Sequence, residues 1–110
     1  MKDNQLYIKH ILDAIEIIKE YLEGTDCDDF LENKLVQDGI IRQLEVIGEA
    51  SKRLSEDFKN KYSKIPWKYV CGMRDKLIHD YFGVDLDEVW KTATEDLEDL
   101  KEVLEKALKG

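Results

Sequence analysis

A chain of 110 residues, 43% hydrophobic and 38% charged, is sized for one soluble domain, expected over 1–110. One proline and six glycines are too few to punctuate a β-rich fold and favour helices. The formal net charge of -8 argues against a surface built as a whole to hold nucleic acid.

The opening "MKDNQLYIKHILDAIEIIKE" is periodic and charged throughout, which excludes a signal peptide or a membrane span. Apolar residues at Leu6, Ile8, Ile11, Leu12, Ile15, Ile18, Tyr21 and Leu22 predict a helix over 5–22 with a broad apolar face, ended by Gly24. After the acidic stretch "EGTDCDDFLEN", Asp28 or Asp29 caps a second long helix over 30–54. Its apolar face is Leu35, Val36, Ile40, Ile41, Leu44, Ile47 and Leu54. Gly39 and Gly48 sit inside it, each costing roughly 1 kcal/mol relative to Ala. They imply a close approach by another helix or another subunit. Residues 55–65 predict a short helical turn and a loop. Pro66 then opens a third helix that buries Trp67, Val70, Met73, Leu77 and Ile78, and Gly83 stops it. Asp85, with Glu88 three residues on, predicts a capping box for a last helix that runs to the end. The sum is an all-α antiparallel four-helix bundle with about one extra short helix.

Charge is unevenly spread. Lys52 to Lys76 carries eight basic and three acidic residues, a segment of +5 in a chain whose remainder is -13. A basic middle between acidic ends reads either as a solvated lysine-rich loop or as a basic patch beside a site, and in the second case Lys64, Lys68 and Lys76 are candidate RNA contacts. Cys27 and Cys71 fit reduced thiols in a cytoplasmic protein. No Cys/His cluster offers a zinc site. Neither His10 nor His79 follows a Glu by three residues, as a bundle di-metal site requires. No metal and no cofactor is expected.

The third helix carries "CGMRDKLIHDYFGVD". Arg74 and Tyr81, seven residues apart, share a stripe, whereas Arg74 and His79 are about 140° apart around the axis. Both act on one ligand only if it sits between them, if the helix end unwinds, or if a second subunit supplies the partner group. Histidine exchanges protons near neutral pH. Arginine grips phosphate through forked donors. Together they can perform metal-free cleavage of RNA, with His79 acting on the 2′-hydroxyl or the leaving oxygen and Arg74 stabilising the phosphate charge. Spacing alone equally allows a surface ion pair of Arg74 with Asp75 or Asp80 and a satisfied polar His79 near a helix end. DNA lacks the 2′-hydroxyl and resists this route.

Arg-x4-His-x-Tyr in "RDKLIHDYF" resembles the signature of the HepT-like toxins of the HEPN superfamily. "DAIEIIKEYLEG", "LEVIGEASKRLS", "IPWKYVCGMRDKLIHDYFGVD" and "VW" at 89–90 are similar to that family in the same order. The resemblance implies a homodimeric helical bundle in which two motif helices meet across a cleft. It implies a metal-independent endoribonuclease, the toxin of a prokaryotic type VII-like toxin–antitoxin pair. Its cognate antitoxin would be an MntA-like nucleotidyltransferase that attaches AMP to Tyr81. Arg74 and His79 are then the catalytic pair. Asp75 and Glu49 are supporting candidates, Asp75 orienting Arg74 or His79 instead of touching RNA. The competing expectation is a non-catalytic homodimeric module that binds a nucleotide or a protein through the same cleft.

Overall fold

The computed structural model describes residues 2–79 and 85–109, and of residues 2, 3, 74 and 77–79 the backbone alone. Seven α-helices follow in order: α1 Lys2–Leu22, α2 Cys27–Glu32, α3 Lys34–Lys52, α4 Glu56–Lys61, α5 Trp67–His79, α6 Leu86–Lys91 and α7 Leu97–Lys109. A π-helical turn over Thr92–Asp96 joins α6 to α7. Lys91, Thr92 and Leu97 keep right-handed helical dihedrals, so α6, the turn and α7 form one continuous rod. The bundle is therefore all-α, with four long helical members and two short ones. Among the described residues there is no strand, and no helix is long and apolar enough to cross a membrane.

Local chemistry sets the boundaries. Gly24 takes φ 72°, the left-handed conformation that closes α1 without a Cβ penalty. Asp26, not Asp28 or Asp29, caps α2. Its carboxylate accepts from Asp29 N at 2.8 Å while the Asp29 carboxylate accepts from Asp26 N, a reciprocal box. The helix expected over 30–54 is in fact two. Asn33 adopts extended dihedrals, its backbone N–H closes α2 on Phe30 O, and its side chain accepts from Val36 N to start α3. Gln37 reinforces the corner by donating to Phe30 O at 2.9 Å. At Asp85 the expected box is half present. Its carboxylate accepts from Asp87 N and Glu88 N, while the Glu88 carboxylate accepts from the Tyr69 hydroxyl.

The long helices pack antiparallel. At one end of the α1–α3 pair Asn4 and Ser55 exchange two hydrogen bonds, and at the other Tyr21 lies against Gly39. The close approach at Gly39 is thus made by a ring of α1 in the same chain, since an added Cβ would meet that ring. α5 runs back along α3: Trp67 packs on Phe58 with ring centroids 6.0 Å apart, and Asp75 bonds Lys52 at 3.0 Å. The Trp67 indole donates to Tyr62 O and fixes the loop before α5.

The core is one layer of aliphatic side chains. Ile8, Ile11, Ile15 and Ile18 of α1 meet Ile40, Leu44 and Ile47 of α3, Val70 and Met73 of α5, and Leu97, Leu100 and Leu104 of α7. Each full burial of such a side chain contributes roughly 1.5–3 kcal/mol relative to exposure. Phe30 is fully buried and packs on Trp90, so α2 closes one end of the bundle. Leu35, assigned by spacing to the apolar face, is 83% exposed. It stands five residues before Ile40, about 140° around the helix, and so faces away from the core.

Candidate active site

The candidate pair Arg74 and His79 sits on α5, whose exposed edge is Lys68, Asp75 and Lys76 and whose inner edge is Trp67, Val70 and Met73. The helix is α-helical through His79. Unwinding between Arg74 and His79 is therefore not how the two meet. Their backbone positions stay about 140° apart, which leaves a ligand between them or a second subunit. Tyr81 and Gly83, and with them the stripe shared by Arg74 and Tyr81, lie outside the described residues.

Antiparallel packing sets what lies opposite. With Lys52 of α3 beside Asp75 of α5, one turn back along α3 and one turn on along α5 places Gly48 and Glu49 level with His79. Glu49, thirty residues away in sequence, is half-buried at that level. Asp75 is exposed and accepts from Lys52 Nζ at 3.0 Å, so part of its charge is neutralised by α3.

The three candidate lysines are exposed but not gathered around His79. Lys76 is within one turn of it. Lys68 is eleven residues back, about 16 Å along the axis. Lys64 precedes α5 and borders a cleft of ≈ 260 Å³ at the far end, with Tyr69, Met73, Thr92 and Asp96. In that cleft the Tyr69 hydroxyl shares a 2.8 Å hydrogen bond with Thr92 Oγ1, and burial pushes its pKa up. The Cys71 thiol is half-buried, and burial raises its pKa against the opposing pull of Lys59 and Lys52. A thiol held protonated is a poor nucleophile at neutral pH.

Glu49 also borders a shallow groove of ≈ 230 Å³ between α1 and α3, together with Tyr7, His10, Arg42, Glu45 and Arg53. The Arg53 guanidinium lies 6.0 Å over the Tyr7 ring, and the Tyr7 and His10 rings meet edge to face at 6.4 Å. Apart from Glu49, sequence reasoning gave these residues no role in a site. The stripe Arg42, Val46, Glu49, Arg53 is legible as i, i+4, i+7, i+11, but its union with Tyr7 and His10 depends on the register of α1 against α3.

Comparison with known proteins gives no significant match to a solved structure. Curated sequences give several. The chain is 48% identical over 103 residues to "Probable ribonuclease HepT" of Thermococcus cleftensis, covering 94% of each. It is 42% identical over 110 residues to a protein of Caldanaerobacter subterraneus subsp. tengcongensis named "Putative RNase", covering 96% of this chain and 98% of that one. A Methanocaldococcus jannaschii protein, whose name joins gamma-glutamylcyclotransferase to an RNase, is 47% identical over 107 residues. That match takes in 97% of this chain and 48% of the relative. The family model described as "Ribonuclease HepT-like" matches residues 11–107, and the chain belongs to that family.

Proposed function

We propose that the chain is a metal-independent endoribonuclease acting as the toxin of a toxin–antitoxin pair. The observation that carries this is the Arg74-x4-His79 helix inside a chain matched by the HepT-like ribonuclease model over 11–107. His79 takes the proton of a 2′-hydroxyl, whose oxygen attacks the adjacent phosphorus. The bond to the 5′-oxygen breaks as a His79 imidazolium gives that oxygen a proton, leaving a 2′,3′-cyclic phosphate and a 5′-hydroxyl. Arg74 stabilises the charge on the non-bridging oxygens. The angle between the two residues is bridged by a homodimer, in which each cleft receives side chains from both copies. Asp75, tied to Lys52, and Glu49, level with His79, orient the pair from its flanks.

Tyr81 is the regulatory position. AMP attached to its hydroxyl by an MntA-like nucleotidyltransferase would set a phosphate on the Arg74 stripe and exclude substrate phosphate by charge and bulk.

Incubation with tRNA and mRNA in EDTA tests the enzymatic reading. His79→Ala is expected to lower cleavage about 100-fold or more, Arg74→Ala comparably, and a 2′-deoxy linkage at the cut is expected to resist. Equal cleavage by wild type and His79→Ala would reject the assigned mechanism. No cleavage by the unmodified wild-type dimer would instead favour the non-catalytic binding module.

A further inference from the structure

Of the groove between α1 and α3 only Glu49 has a part in the chemistry assigned to α5, yet the groove's composition is that of a ligand site. Arg42 and Arg53 are exposed, and among the described residues neither is paired with a carboxylate. Arg42 on α3 and Arg53 at its C-cap stand eleven residues apart on one stripe, about 16 Å along the axis. Between them Tyr7, half-buried, and His10, exposed, present aromatic rings from α1. Glu45 and Glu49 border the same space.

This mixture selects among ligands. An inorganic anion or an acidic peptide would be drawn by the arginines and repelled by the two glutamates. A nucleotide has a use for both signs. Its phosphate matches a guanidinium, the exocyclic amino group of a base donates to a carboxylate, and its ring stacks on an aromatic side chain. Arg53 over Tyr7 adds a cation to that platform. The groove also reaches Glu49, which the α3–α5 register sets level with His79.

We propose that the α1–α3 groove is a subsite for single-stranded RNA, taking one base against Tyr7 and His10 and the flanking phosphates on Arg42 and Arg53. The subsite rests on the ribonuclease reading for its substrate. It makes a contact on α1 and α3 part of substrate selection, apart from the Arg74 and His79 pair.

The test separates binding from cleavage. Fluorescence anisotropy of labelled single-stranded oligoribonucleotides is measured on the full-length His79→Ala chain, alone and with Arg42→Ala, Arg53→Ala or Tyr7→Leu added. Each addition is expected to weaken binding about tenfold, and each arginine change to flatten the salt dependence. In the cleaving background, Arg42→Ala is expected to raise KM far more than it lowers kcat. Both arginines are exposed, so their truncation leaves the core intact, and circular dichroism melting verifies this. Unchanged affinity in both arginine variants overturns the subsite even if the wild type cleaves RNA. A change of oligomeric state in those variants, seen by sedimentation, also overturns it and makes the groove a protein interface. A wild type that never cleaves RNA defeats the ribonuclease reading, while the anisotropy still reports whether the groove holds a strand.

Discussion

Ser51 is fully buried on α3, and its hydroxyl has no hydrogen-bond partner among the described residues. A buried hydroxyl left unpaired costs about 1–3 kcal/mol, and alanine is also the better helix former. Ser51→Ala is therefore expected to stabilise the chain by about 1 kcal/mol and raise Tm by several degrees. A lower Tm in thermal unfolding would show that the hydroxyl is used. Asp75 and Glu49 illustrate the opposite situation. Both carboxylates stand on helices beside the motif, and Asp75 is held by Lys52. Their residue types were legible from the sequence. That Lys52 would engage Asp75 was not, because the two lie twenty-three residues apart and meet only through antiparallel packing.

Among the elements, the corner between α2 and α3 hangs on Asn33. Its backbone ends one helix and its side chain begins the next. Asn33→Ala is expected to cost about 1 kcal/mol, with Asn33→Asp or Asn33→Ser restoring most of it. Chemical denaturation should show the loss as a lower midpoint, and an unchanged midpoint would mean the cap is idle. This corner was hidden in the sequence because Leu31, Leu35 and Val36 carry apolar character straight across it. Patterning alone continues the helix, and only the cap geometry breaks it. By contrast, the steps of three and four residues joining Ile8, Ile11, Ile15 and Ile18 made α1 plain, and all four are buried. The motif on α5 was legible as a residue pattern. Its surroundings were not, since local spacing gives the angle between Arg74 and His79 but not the register of α3.

For the whole molecule, a net charge of -8 coexists with a basic middle segment. Long-range repulsion of RNA and short-range attraction near α5 oppose each other, so association should depend steeply on salt. AMP on Tyr81 would add negative charge to the basic segment proposed to attract the substrate. Intact mass of the chain co-expressed with an active nucleotidyltransferase antitoxin is expected to rise by one or more AMP units, and Tyr81→Phe to abolish the rise. An unshifted wild-type mass would sink that regulation. Fold class followed from composition and period because helices are local objects. The groove joins residues far apart in the chain, so it is a property of the packed molecule.

The π turn over Thr92–Asp96 sets a phase. Val89, Ala93 and Leu97 are buried at two successive four-residue steps, which in a regular α-helix overshoot one stripe by about 80°. A wider turn takes up part of that overshoot and lets the two halves of the rod share one face. Losing a single residue here and closing to a regular α-helix would leave the second half nearly in phase, because the five residues of the wider turn sweep about the same angle as four residues at about 100° each. Lys101 and Glu98 would stay beside Glu16 and Lys19 of α1, and Leu100 and Leu104 in the core. The segment thus carries one residue more than a regular helix needs, while a loss elsewhere in the rod would turn all that follows out of register.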